Sequence, residues 1–283
     1  MLIFKEIKPF QQWLGNQRKN EKSIGFVPTM GALHEGHLSL IRKAQEENDL
    51  VVCSVYVNPT QFNNAEDLAK YPRLLEKDSI LLEEIACDVL FAPTDTEMYP
   101  QKPSIQFDFG SLEKVMEGAY RAGHFNGVGI IVSKLFHIVS PDKAYFGQKD
   151  LQQFLIIKKL VEDLFFNVNL VLCPIAREES GLAMSSRNQR LNEEQKQLAS
   201  HLFKALQIVQ EHLKLHKNPS LAEQAGKKYI ADFQNITLEY LEITKTDSLQ
   251  KLSEVKTTTE EVALCIAAII GGVRLIDNIL CDF

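Results

Sequence analysis

Short apolar runs alternate with longer amphipathic segments from Ser23 to about Cys173. Ile24 to Pro28 predicts a strand that ends in a turn rich in Pro and Gly. His37 to Glu47 predicts a helix, because Leu38, Leu40, Ile41 and Ala44 recur at helical spacing. Leu50 to Val57 is a nearly continuous apolar strand, and Asn58-Pro59 stops it. Strand, helix and strand in this order make a βαβ unit with parallel strands and a right-handed crossover. The rhythm then predicts a helix over Asp78–Ile85, a strand over Asp88–Ala92, a helix over Gly127–Val139 and a strand over Lys143–Phe146. A helix over Asp150–Leu164 and a strand over Val168–Leu172 follow. Strands apolar on both faces, separated by helices, imply an α/β fold with a doubly wound parallel sheet. Ligands bind such sheets at the carboxyl ends of the strands. The chain turns polar and irregular just past Val27, Val57 and Phe146, three such ends.

Beyond Arg177 the texture changes. Asn192–His216 and Leu221–Phe233 read as polar-faced helices, and Leu238–Thr244 and Ala263–Ile270 as strands. We therefore expect two domains, one over residues 1–175 and a smaller α+β domain over 176–283. Hydrophobic residues at 45% and charged residues at 24% are enough to build buried cores. A net charge of −6 argues against a nucleic-acid partner, which calls for clustered Lys and Arg. The five cysteines are scattered and never form C-x-x-C, which argues against a disulfide framework and a structural zinc site. No apolar stretch approaches the length of a membrane span, and the first residues lack signal-peptide architecture. A cytoplasmic protein without membrane attachment is expected.

Four constellations carry chemistry. His34 and His37 stand three residues apart at the start of a helix, so both rings project to one side of its first turn. That end carries free N–H groups and the positive end of the helix dipole, which suits phosphate. Gly31 and Gly36 leave room for a nucleotide to approach the backbone. Two ordinary polar histidines, or half of a metal site, are the alternatives on spacing alone. Phe146-Gly147-Gln148-Lys149-Asp150 joins a strand to a helix, with a lysine for phosphate and an aspartate that caps the helix or holds hydrated Mg²⁺. Either Gln152 or Gln153 then faces inward. Met184-Ser185-Ser186-Arg187-Asn188 can clamp a triphosphate, although a surface turn has the same composition. Asn58 and Gln61, after the second strand, are neutral hydrogen-bonding groups suited to a polar organic substrate, or simply part of a turn. Neither a P-loop nor a complete G-x-G-x-x-G occurs, so any ATP phosphates must be met by the histidines and a helix N-terminus.

These segments, with Tyr71-Pro72-Arg73, Gly123 to Val128 and Arg274-Leu275-Ile276-Asp277-Asn278 near the end, resemble the pantoate–β-alanine ligase family of the nucleotidyltransferase superfamily over almost the whole chain. Departures are Ala122, where the family more often has proline, and Asn63-Asn64-Ala65, which lacks its common Gly-Pro. The resemblance implies a Rossmann-like first domain, a second domain covering the site, a homodimer, and ATP and Mg²⁺. It implies that pantoate is activated as an adenylate and then captured by β-alanine. Catalysis would fall to His34, His37, Lys149 and Arg187. The nucleotide site would comprise Met30, Gly31, Ala32, Leu33, His34, Glu35, Gly36 and His37, then Gly147, Gln148, Lys149 and Asp150. Ala176, Met184, Ser185, Ser186 and Arg187 would complete it, with Ala176 meeting adenine through its backbone. Gln61 and Gln153 would hold pantoate, Gln61 would border β-alanine, and Asp150 would meet Mg²⁺. Competing readings are a nucleotidyltransferase acting on a phosphate ester, a synthetase-like RNA binder, and a non-catalytic metal-binding protein.

Overall fold

A computed structural model describes residues 1–254 and 261–282. Six strands form one parallel sheet: β1 (Leu2–Phe4), β2 (Ile24–Thr29), β3 (Leu50–Val55), β4 (Val89–Phe91), β5 (Lys143–Gly147) and β6 (Asn169–Cys173). Their spatial order is β1-β4-β3-β2-β5-β6. Connections run outward from β2 in one direction and from β5 in the other, so the strand order reverses between β2 and β5. In an open α/β sheet that reversal marks the ligand crevice.

The intervening helices are α1 (Ile7–Lys19), α2 (Glu35–Glu47), α3 (Ala65–Lys70), α4 (Leu75–Glu84), α5 (Asp95–Met98), α6 (Met116–Tyr120), α7 (His124–Val139) and α8 (Leu151–Asp163). On one face Leu38, Ile41 and Ala44 of α2 pack with Val27, Val51, Cys53 and Leu90. On the other, Phe10 of α1 stacks on Phe91 at 4.6 Å, and Phe136 of α7 meets Phe26 edge-on. α7 is apolar around most of its circumference and correspondingly buried. Strands covered on both faces lose the period-2 pattern, which is why β2 and β3 read as continuous apolar runs.

The chain divides into two compact units. The first comprises residues 1–147 and 153–173, and the second comprises 148–152 and 174–283. The second has helices α9 (Glu193–His216) and α10 (Pro219–Ala231) and an antiparallel sheet, β7 (Ile236–Lys245), β8 (Glu261–Ile270) and β9 (Val273–Asp282). Its core joins Leu202, Leu206 and Val209 of α9 to Leu241, Ile243, Leu264 and Ile266. Asn192 and Gln195 start α9 with a reciprocal capping box. Gly271 and Gly272, both at positive φ (57° and 73°), turn β8 into β9 as a two-residue hairpin.

Six elements lie outside the sequence reading: β1, α1, α3, α5, α6 and β9. The segment Gln148–Asp150 is a 3-10 turn, and the regular helix begins after it, at Leu151, rather than at Asp150. Among the described residues, no helix is long and apolar enough to cross a membrane.

Candidate functional site

In the first unit the site grows from the end of β2. Thr29 donates its hydroxyl proton to the Ser54 carbonyl (2.7 Å) and accepts from the Gly31 amide (3.1 Å). The chain then bends through the left-handed region at Gly31 (φ 80°) and Ala32 (φ 51°). A Cβ at position 31 would stand 2.8 Å from Asp78 Oδ2, so glycine is required here by space as well as by φ. Asp78, buried on α4, receives the Ala32 amide (2.9 Å) and the Leu33 amide (2.7 Å) on its two oxygens. Burial pushes its carboxyl above the usual range, and the two amide donors pull it back. The carboxylate clamps the turn that carries the histidines.

His34 is the N-cap of α2, and its Nδ1 accepts from the Gly36 amide at 3.1 Å. An accepting Nδ1 puts the ring proton on Nε2. His37 lies in the first turn, and the two ring centroids are 4.1 Å apart. Both half-buried imidazoles therefore sit at the positive end of the helix dipole. Glu35 is exposed and its carboxylate pairs with Arg42, which holds it below its ordinary range. Among the described residues, no group of three His, Cys, Asp or Glu side chains is arranged to hold a metal ion.

Past β3, Pro59–Gln61 form a 3-10 turn capped by Asn58. The buried Asn58 is its hub. Its Oδ1 accepts from the Thr60 hydroxyl (3.0 Å) and the Tyr99 hydroxyl (2.8 Å). Its Nδ2 donates to Gln61 Oε1 (3.1 Å) and the Gly127 carbonyl (3.2 Å). With Oε1 engaged, the buried Gln61 presents Nε2, which donates to Met30 Sδ at 2.9 Å. Thioether sulfur is a weak acceptor, so this amide is a donor that an oxygen ligand can claim. His124, also buried, lies with Nδ1 2.8 Å from the Gln61 carbonyl and fixes the turn from the other side. Of the two glutamines on α8, Gln152 is buried and Gln153 half-buried.

The second unit gathers the remaining residues. Lys149 is mostly buried, with Nζ 3.5 Å from an oxygen of the half-exposed Asp150. The segment 176–184 folds back on itself: Met184 donates its amide to the Ala176 carbonyl (3.0 Å), and Arg177 bridges Ala183. Ser185 caps a 3-10 turn over Ser186–Arg190 and accepts from the Arg187 amide (3.3 Å). Arg177 makes a two-pronged pair with the buried Asp277 (2.6 and 2.9 Å) and lies 3.7 Å over the Phe203 ring. Burial pushes the Asp277 carboxyl up, and Arg177 pulls it down. Asn278 donates to the Gln148 carbonyl (2.9 Å) and the Lys149 carbonyl (3.0 Å), and accepts from Gln148 Nε2 (3.0 Å).

The expected site residues thus form two groups, one in each unit. Met30–His37 and Gln61 are joined in the first, which also holds Gly147 and Gln153. Gln148–Asp150 and Ala176–Arg187 belong to the second. Sequence reading missed Asp78 and the supporting roles of His124, Arg177, Asp277 and Asn278. A signal for Asp78 was present: it shares a helical face with Leu75 and the buried Leu82. For Asn278, bonded to residues about 130 positions away, no local signal exists.

The family described as pantoate-beta-alanine ligase matches residues 2–280. The pantothenate synthetase of Cytophaga hutchinsonii is 49% identical over 281 residues, covering 99% of each chain. That of Bacteroides thetaiotaomicron is 46% identical over 283 residues, 99% of this chain and 98% of the relative. Among solved structures, the pantothenate synthetase of Thermus thermophilus superimposes with a TM-score of 0.92 at 40% identity, covering 99% of both chains. A Francisella tularensis pantoate-beta-alanine ligase, complexed with beta-gamma ATP and beta-alanine, gives a TM-score of 0.82 at 37% identity, covering 99% of this chain and 97% of the other.

Proposed function

The chain belongs to the pantoate-beta-alanine ligase family, and on that premise we propose how its residues divide the reaction. It is a ligase of pantothenate biosynthesis, and ATP is its co-substrate. Pantoate's carboxylate oxygen bonds to the α-phosphorus of ATP while the bond to pyrophosphate breaks. The deprotonated amine of β-alanine then attacks the acyl carbon of pantoyl adenylate, and AMP leaves as pantothenate forms.

The observation that carries this reading is the His34–His37 pair at the N-terminus of α2, in the same unit as the donor amide of Gln61. Negative charge grows on the phosphate oxygens as the P–O bond breaks, and donors fixed beforehand at a helix N-terminus stabilise it selectively. His34 and His37 take that role, with His37 as the principal donor. Lys149 and Arg187 neutralise the same triphosphate. Met30 to His37, Gly147 to Asp150, Ala176 and Met184 to Arg187 line the nucleotide. Gln61 and Gln153 hold pantoate, and Gln61 borders β-alanine. A buried amide whose oxygen is already taken is suited to pantoate's hydroxyl and carboxylate oxygens.

Mg²⁺ belongs to the same reading. The half-exposed carboxylate of Asp150 would hold a hydrated ion, and no cage of protein ligands is needed for that. When bound, the ion supplies charge neutralisation. A cytoplasmic homodimer completes the proposal. The test is isotope exchange between ATP and pyrophosphate: it is expected to require pantoate and to proceed without β-alanine. Exchange that needs β-alanine, or that runs without pantoate, would overturn the adenylate route.

A further inference from the structure

We propose that Asn278 is a positioning residue for Lys149, and that the Asp277–Asn278 pair of β9 holds both nucleotide segments of the second unit in one register. The proposal rests on the reading of Lys149 given above. Gln148–Asp150 is a three-residue 3-10 turn, too short to set its own geometry by an internal hydrogen-bond ladder. Asn278 supplies what the turn lacks. Its amide nitrogen gives one proton to each of two successive carbonyls, Gln148 (2.9 Å) and Lys149 (3.0 Å). Its amide oxygen takes a proton from the Gln148 side chain (3.0 Å). Every hydrogen-bonding group of the Asn278 amide is spent on this turn apart from one lone pair, and the side chain is buried.

The neighbouring residue works on the other segment. Successive side chains leave a strand on opposite faces, so Asp277 and Asn278 can address different parts of the chain from adjacent positions. Asp277 grips Arg177 with both oxygens (2.6 and 2.9 Å). Arg177 in turn donates to the Gly181 carbonyl (3.0 Å) and to the Asn278 carbonyl (3.3 Å). That ties together the fold-back of Ala176–Met184, which leads into Ser185–Arg187. A planar guanidinium–carboxylate pair fixes orientation as well as distance. Neither Asp277 nor Asn278 needs to touch substrate for this to matter, since a misplacement of about 1 Å in a charged donor can cost 10²-fold in rate.

The experiment compares wild type, Asn278→Ala, Asn278→Asp, Lys149→Ala and the double variant Asn278→Ala/Lys149→Ala in the pantoate-dependent exchange assay, with melting temperatures alongside. Asn278→Asp keeps the shape but cannot donate to the two carbonyls, so it serves if the alanine variant folds poorly. We expect either Asn278 variant to raise KM for ATP and lower the exchange rate by about 10- to 100-fold together, with KM for pantoate unchanged. Once Lys149 is alanine, removing Asn278 should cost little more. Fully additive losses, equal changes in both KM values, or a drop in melting temperature with normal ATP saturation would each overturn the positioning role. A wild type silent in exchange would instead overturn the functional reading beneath it.

Discussion

At the scale of single residues, His34 and His37 differ although they look like a matched pair. His34 spends Nδ1 on the Gly36 amide and so holds the first turn of α2 as its cap. Replacing it with alanine removes a cap, worth about 0.5–2 kcal/mol, together with the phosphate contact proposed for it. His37 lies inside the first turn and has no capping duty. His37→Ala and Lys149→Ala are therefore expected to slow ATP–pyrophosphate exchange by about 10²–10³ while melting close to wild type. The pair Lys149 makes with half-exposed Asp150 is of the kind that adds little stability. Exchange rates beside melting curves check this, and parallel losses in both would make the residues structural. The histidines were legible because their spacing and a preceding Gly-rich turn are local facts. For Asp78 the sequence signals burial, through the helical face it shares with Leu75 and Leu82, but not its task, which depends on the fold bringing the Ala32 and Leu33 amides to it.

At the scale of elements, the start of α7 shows how closely two segments approach. A Cβ at Gly127 would overlap the backbone carbonyl of Thr60, inside the turn that carries Gln61. Backbone cannot rotate away as a side chain can. Gly127→Ala should destabilise the protein by about 1–3 kcal/mol and raise KM for pantoate more than KM for ATP, read from denaturant titration and steady-state kinetics. An unchanged pantoate KM would show that the turn tolerates the shift. The same scale explains which elements could be read in advance. β2 and β3 are buried on both faces and announce themselves as apolar runs. β1 has three residues with Leu2 and Ile3 about half exposed, so it lacks any burial pattern. Helix α1 buries only Phe10 and Leu14, a stripe too narrow to stand out in a polar segment. In β9 the polar Arg274, Asp277 and Asn278 interrupt the apolar alternation and hide a ten-residue strand.

At the scale of the whole molecule, the parallel sheet was readable because topology follows from handedness and alternation, rules that hold without knowledge of any contact. Its strand order reverses between β2 and β5, and the histidine turn begins at the end of β2. The joining of Gln148–Gln152 with the C-terminal unit was not readable, because it depends on side chains far apart in sequence. For the proposed homodimer, sedimentation velocity should give a single species at about twice the 32.1 kDa of the chain. A species at the monomer mass across micromolar concentrations would remove the dimer from the reading.

The two-glycine hairpin between β8 and β9 has a consequence for how this chain can change over generations. Register is counted from that turn, with Ile270 opposite Val273 and Cys265 opposite Asn278. One residue gained or lost between Val273 and Asp277 would send each later side chain to the opposite face. A gain would put the carboxylate where the amide belongs, a loss the amide where the carboxylate belongs, and Gln148–Asp150 and the Ala176–Met184 fold-back would lose their hold at once. Substitutions at Leu275 or Ile276 alter packing by degrees, whereas an insertion or deletion there has no mild form. Length is under tighter constraint in this tract than composition.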